Sequence, residues 1–227
     1  TTTDWMDQEQ ERGITITAAA ITCYWNKYQL NVIDTPGHVD FTVEVERSLR
    51  VLDGAIVVFC GVGGVEPQSE TVWRQADRYH VPRIVFINKL DRVGSDYFKV
   101  VQQIKQRLEA KALLLQIPLG KEEKFQGVID LITLRAITWK DEMGEQIEES
   151  DIPEEFKKTA KEWHDKLIET VADVDESIAD KYLANQPVMV DSLKSSIRQA
   201  TLKNKLVPVL CGSSLRNRGI QPLLNAV

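Results

Sequence analysis

Ala55-Ile56-Val57-Val58-Phe59-Cys60, closed by Gly61, is an apolar run without a polar interruption. A strand with one face in water alternates apolar and polar residues. An unbroken run of this kind suits a parallel strand covered on both faces. Arg83 to Ile87 and Leu206-Val207-Pro208-Val209-Leu210-Cys211 repeat the pattern. Between the first two runs, Pro67 suits a first helical position and predicts a helix to about Tyr79, with Val81-Pro82 blocking further helix. Ser95 is the expected cap of the next helix, which reaches to about Ala110. Upstream, Phe41, Val45, Leu49 and Leu52 recur at helical spacing from about Asp40 to Leu52, and Gly54 ends that run. Ala18 to Trp25 and Tyr28 to Ile33, parted by Asn26-Lys27, read as two antiparallel strands joined by a tight turn. Strand–helix alternation argues an α/β fold, a doubly wound and mainly parallel sheet with helices on both faces. Such sheets bind ligands beyond the carboxyl ends of their strands. Asp34, Gly61 and Asn88 each follow a strand end and are expected on one rim.

The character changes after residue 111. Leu113 to Leu119, Gly127 to Leu131 and Ala136 to Trp139 read as short strands divided by acidic turns. Helices follow at about Glu154 to Val171, Glu176 to Leu183 and Asp191 to Leu202, the last with Leu193, Ile197 and Ala200 on one face. The division is a core over residues 1–111, an inserted α+β subdomain over 112–203, and a last core strand and helix over 204–227.

The 227 residues carry a net charge of −6, with 43% hydrophobic and 27% charged. That composition builds a proper core and argues against wholesale electrostatic binding of nucleic acid. No apolar run approaches the length of a membrane-spanning helix, and the start of the chain has no signal-peptide pattern. Cys23, Cys60 and Cys211 are far apart and read as three buried or half-buried thiols rather than disulfides or a zinc site.

Four short elements carry chemistry. Asp34, ending an apolar strand, can hold Mg²⁺, usually through its waters. Thr35-Pro36-Gly37 turns the chain, and Gly37 lets its N–H approach a terminal phosphate closely. In Asn88-Lys89-Leu90-Asp91, the Asp91 carboxylate can accept from both N1–H and the 2-amino group of guanine, a pattern that adenine lacks. Lys89 and Asn88 can pack around the ring. Gly212-Ser213-Ser214, after Cys211, offers backbone N–H groups to the guanine O6. Thr15, in Glu11-Arg12-Gly13-Ile14-Thr15-Ile16, offers a hydroxyl and a carbonyl to a metal and a water. Each element alone is a turn or a charged loop. Their order gives them weight: Thr15 lies 19 residues before Asp34, Asn88 lies 54 after it, and the second and third elements each end an expected strand.

Arg12-Gly13-Ile14-Thr15-Ile16, Asp34-Thr35-Pro36-Gly37-His38-Val39-Asp40-Phe41 and Asn88-Lys89-Leu90-Asp91 resemble the ribosomal translational GTPases. His38 stands where Ras-like proteins carry Gln. Phe41 to Ala55 and Thr71-Val72-Trp73-Arg74-Gln75-Ala76 look like elongation factor G in particular. The match extends over the whole chain, insertion included. The resemblance implies a P-loop-NTPase-like fold that binds GTP or GDP with Mg²⁺ and hydrolyses GTP on the ribosome. It makes Thr15 a Mg²⁺ ligand and puts Asp34 in the metal's outer shell. Gly37 N–H would contact the γ-phosphate. His38 would orient the attacking water or act as its base, with Ile14 in the apolar gate beside it. Asn88, Lys89 and Asp91 would read guanine, with Ser213 and its neighbours closing over it. His80 and His164 have no such context and read as ordinary surface or helix-end residues.

No Gly-x-x-x-x-Gly-Lys-Ser/Thr occurs in the chain. By the resemblance that phosphate loop and the first, central strand belong before Thr1, and further domains belong after Val227. The expectation is a fragment that alone binds GTP poorly, within a monomer whose contacts to tRNA and mRNA lie in the other domains. The implied partner is the ribosome. The helix from Glu154 to Glu169, mixing Lys and Glu, is a solvated face or a surface for stalk proteins. A bacterial cytoplasm or a mitochondrial matrix suits either source, and no membrane is implied. Translocation of tRNA and mRNA is the leading role. A paralogue acting in ribosome recycling shares every motif, and a non-hydrolysing binding module is the alternative from another class.

Overall fold

The computed structural model describes residues 3, 6, 7, 11, 15, 17–36, 42–141 and 143–227. They divide into two compact units, Thr1–Asp53 with Glu66–Val81, and Gly54–Val65 with Pro82–Val227.

In the first unit, β1 (Ala19–Trp25) pairs antiparallel with β2 (Tyr28–Asp34), from Trp25 opposite Tyr28 to Ala19 opposite Asp34. Asn26, in the two-residue turn, has φ of 53°, a conformation that Asn tolerates better than most residues. Helix α1 (Thr42–Leu49) buries Val45 and Leu49; α2 (Pro67–Arg78) starts on Pro67 and buries Trp73 and Ala76. The two helices meet where the Tyr79 hydroxyl donates to Glu46 over 2.5 Å.

The second unit is built on a four-stranded parallel sheet in the order β3–β4–β10–β5. These strands are β3 (Ala55–Cys60), β4 (Arg83–Asn88), β5 (Ala112–Leu114) and β10 (Val207–Cys211). The interior strands are buried on both faces, with Val85, Phe86, Ile87, Val209 and Leu210 in the core. That is what an unbroken apolar run demands of a parallel strand. The edge strand β3 departs from the expectation. Phe59 is buried, but Ile56 and Val58 are 43% and 57% exposed, so one of its faces is uncovered.

Helix α3 (Tyr97–Arg107) turns Tyr97, Val100, Val101 and Ile104 inward. Its cap is Asp96, whose carboxylate accepts from Lys99 N–H over 3.0 Å, and not Ser95, whose hydroxyl donates back to the Leu90 carbonyl. Losing a cap of this kind costs about 1 kcal/mol, or roughly 2–4 °C in a domain of this size. Asp96→Ala should lower the melting temperature by that amount and Asp96→Asn should restore most of it. A melting temperature unmoved by Asp96→Ala would remove the cap from Asp96.

The run from Leu113 to Leu119 is two strands in two sheets. β5 belongs to the parallel sheet; β6 (Gln116–Leu119) opens an antiparallel meander with β7 (Gly127–Asp130), β8 (Arg135–Trp139) and β9 (Ile147–Ser150). Leu115 is the hand-over. Its N–H donates to Val209 in one sheet, and its carbonyl accepts from Leu131 beside the other. The meander therefore parts from the parallel sheet at Leu115. Helices α4 (Glu154–Ala172), α5 (Glu176–Leu183) and α6 (Val190–Leu202) follow, and α6 buries Leu193, Ile197 and Ala200. His164 on α4 has its Nδ1 2.6 Å from the Leu131 carbonyl, which ties that helix to the turn after β7. The chain ends in α7 (Ile220–Ala226).

Cys23 and Cys60 are half-buried free thiols, and burial pushes the thiol of Cys211 far above its ordinary pKa. Among the described residues, no helix is long and apolar enough to cross a membrane.

Candidate functional site

Strands β4 and β10 are parallel neighbours, so the loops at their carboxyl ends leave the sheet side by side. The first loop begins at Asn88 and the second at Gly212. Gly212 N–H donates to Ile87 over 3.0 Å, and Leu90 N–H donates to Gly212 over 3.2 Å. This close lacing excludes a side chain at Gly212, where a Cβ would stand 2.2 Å from the Arg218 carbonyl oxygen. The loop after β3 joins them. Gly61 N–H donates to the Asn88 carbonyl over 2.8 Å, and the Gly61 carbonyl accepts from Asp96 N–H over 2.9 Å. Gly61, Asn88 and Gly212 thus gather on one rim.

The Asn88 carboxamide stitches the loops. Its Oδ1 accepts from Ser214 N–H at 2.9 Å and from Lys89 N–H at 2.7 Å, while its Nδ2 donates to Ser214 Oγ at 2.8 Å. Lys89 takes φ of 64°, which swings the chain round toward Asp91. The Asp91 side chain is only 10% exposed, and its Oδ2 lies 3.3 Å from Arg216 Nε. A carboxylate has about four lone-pair sites, so one contact from Arg216 leaves capacity for a donor pair on a ligand. Ser213 is buried, and its hydroxyl has no hydrogen-bond partner. A buried polar group without a partner is costly and invites a ligand atom.

The backbone donors expected for the guanine O6 are engaged by the protein. Gly212 N–H goes to Ile87, Ser213 N–H to Arg218 and Ser214 N–H to Asn88. A base edge arriving here shares the Ser214 N–H with Asn88 or displaces it. Arg216 escaped the sequence reading, because its partner Asp91 is 125 residues away and no local pattern links the two.

The remaining expected residues lie on the first unit or outside the described residues. Asp34 ends β2 and is half-buried, as are Thr35 and Thr15, while Pro36 is buried. Ile14, Gly37 and His38 lie outside the described residues. Among the described residues, no three His, Cys, Asp or Glu side chains converge. A hydroxyl and a single carboxylate, such as Thr15 and Asp34 offer, are the hard oxygen donors of a cation that keeps most of its shell as water and phosphate oxygens.

Residues 1–227 match the family model of the elongation factor Tu GTP-binding domain. The chain belongs to that family. A crystal structure of a Thermus thermophilus protein aligns with 99% of this chain at a TM-score of 0.90 and 27% sequence identity. The chain spans 33% of that protein. It is accordingly a guanine-nucleotide-binding domain of the translational GTPases, with the α/β fold expected from the apolar runs and the GTPase fold implied by the resemblance.

Proposed function

We propose that this domain binds and hydrolyses GTP as part of a factor of the elongation factor G type, which drives tRNA and mRNA through the ribosome. The observation that carries this reading is the insertion. A four-stranded antiparallel meander and three helices stand between β5 and β10, two strands of the parallel sheet. An insertion of this kind resembles the subdomain that elongation factor G carries inside its GTPase domain.

In this reading Asn88, Lys89 and Asp91 select guanine, and Ser213 and Ser214 close over it. Gly37 N–H meets the γ-phosphate, and His38 places the attacking water beside Ile14. Thr15 and Asp34 hold Mg²⁺, which neutralises phosphate charge when bound. The ribosome is the partner, with the insertion free to meet stalk proteins. The setting is a bacterial cytoplasm or a mitochondrial matrix.

The full-length protein should hydrolyse GTP many-fold faster with ribosomes than without, and should advance mRNA by one codon on pre-translocation complexes. Both are followed in stopped flow, by phosphate release and by a fluorescent mRNA. Subunit splitting without mRNA movement would assign the protein to recycling. Nucleotide binding without turnover would make it a binding module.

A further inference from the structure

Two loops are proposed above to read guanine, one over residues 88–94 and one over 212–219. Neither stands alone, because the insertion grips both. The tight turn between β6 and β7 sends the Glu122 carboxylate to the Gly94 N–H, with Oε1 at 2.7 Å. The same turn offers its Phe125 carbonyl to the Arg218 guanidinium, also at 2.7 Å. From the other end of the meander, the Gly144 carbonyl accepts from Asn217 Nδ2 at 3.2 Å and from Gln221 Nε2 at 2.6 Å.

The Glu122 contact reaches furthest into the proposed site. The turn that begins at Lys89 is closed by Arg92, whose N–H donates back to the Lys89 carbonyl over 3.2 Å, and Gly94 lies in the turn that follows directly, where Ser95 N–H donates to the Arg92 carbonyl over 3.1 Å. Asp91 sits inside the first of these turns. Gly94 has φ of 83° and Glu122 has φ of 52°, so both ends of the bond hold left-handed backbone conformations. Gly adopts such a conformation freely, whereas a residue with a side chain, as at Glu122, holds it only where the surroundings over-determine it. A carboxylate bond to a backbone N–H is stronger than a neutral one. It holds the chain directly beyond the turn that carries Asp91, while the Asn88 carboxamide holds the chain directly before it.

We infer that Glu122, a residue of the insertion, is a positioning residue for Asp91 and so sets how sharply the domain selects guanine. The inference rests on the reading of Asp91 as the base selector. A consequence is that whatever displaces the turn over residues 120–125 also loosens the grip on the base.

Inosine nucleotides test it, because inosine lacks the 2-amino group and forfeits one of the two bonds to Asp91. The ratio of Kd for IDP to Kd for GDP therefore reports how well Asp91 is aimed. It is measured on the full-length protein by competition against a fluorescent nucleotide. In Glu122→Ala and Glu122→Asp, GDP affinity should fall about three- to ten-fold, and the IDP-to-GDP ratio should shrink toward one. Glu122→Gln keeps an oxygen acceptor for Gly94 and should hold the ratio near that of the wild type. A purely structural role changes both affinities by the same factor. An unchanged ratio in folded Glu122→Ala or Glu122→Asp protein, checked by thermal melting, would therefore overturn the inference. Asp91→Asn is the parallel control. If that variant still prefers GDP to XDP, the reading of Asp91 fails, whatever Glu122 does.

Discussion

Asp91→Asn is expected to turn a guanine-selective protein into one that prefers xanthine, with GDP affinity reduced by about a hundred- to a thousand-fold. A carboxylate accepts from both donors on the guanine edge, N1–H and the 2-amino group. Hydrogen bonds to an ionised group contribute about 1.5–3 kcal/mol each, so losing the one to the 2-amino group and weakening the one to N1–H to a neutral bond costs about 3–4 kcal/mol together, which gives that range. The amide of Asn presents one acceptor and one donor. Its NH₂ meets the guanine 2-amino group donor to donor, whereas it matches the 2-carbonyl of xanthine. The substitution also releases Arg216 from its ion pair. That guanidinium is 43% exposed, so the lost pairing barely affects stability. The prediction is checked by competing GDP and XDP against a fluorescent nucleotide on the full-length protein, alongside a melting curve. Equal losses for both nucleotides, with a lowered melting temperature, would make Asp91 a structural anchor for Arg216 rather than a base selector.

The parallel core was legible because an interior strand has no polar face to hide. The runs that became β4 and β10 lie on both faces among apolar neighbours, and their sequences say so. The same logic misjudged β3, whose composition is equally apolar but whose Ile56 and Val58 stand exposed. Composition records what a strand is made of and not which of its faces is covered. The division between β5 and β6 was hidden for a related reason. Leu113 to Leu119 is buried nearly throughout, so no change in pattern marks the hand-over at Leu115 between the sheets. β9 was missed because Ile147-Glu148-Glu149-Ser150 carries two glutamates and is exposed along most of its length. Its place comes from the β8 ladder and from no propensity of its own.

In the candidate site the sequence named the residues proposed to read guanine but not what holds them. Asn88 with Ser214 is a pair across 126 residues. Glu122 with Gly94 and Arg216 with Asp91 likewise join separate loops. A motif records the residues that touch a ligand. Residues that aim them are joined only by the fold, and a linear pattern has no term for that.

In the full-length protein on the ribosome, His38→Ala should lower the stimulated rate of GTP hydrolysis by about a thousand-fold, while GDP affinity moves by about two-fold or less. The two effects separate because the proposed role of His38 concerns the attacking water, and neither the base nor the β-phosphate. What the imidazole does to that water is the deeper issue, and a second substitution answers it. Phosphoryl transfer from GTP passes through a loose transition state, in which the attacking oxygen has little bond to phosphorus and needs little help in losing its proton. A side chain that only orients the water can then be replaced by another hydrogen-bonding group. His38→Gln should recover a substantial part of the loss, and its stimulated rate should be flat with pH. An imidazole acting as base must be neutral to work, so the wild-type rate would decline as pH falls through the imidazole pKa, ordinarily about 6.5. In that case Gln, which cannot take a proton in this range, would be as inactive as Ala. Stopped-flow phosphate release across about pH 5.5 to 8, with all three proteins saturated with ribosomes, separates the two roles. Wild-type turnover in His38→Ala would remove the histidine from the chemistry altogether.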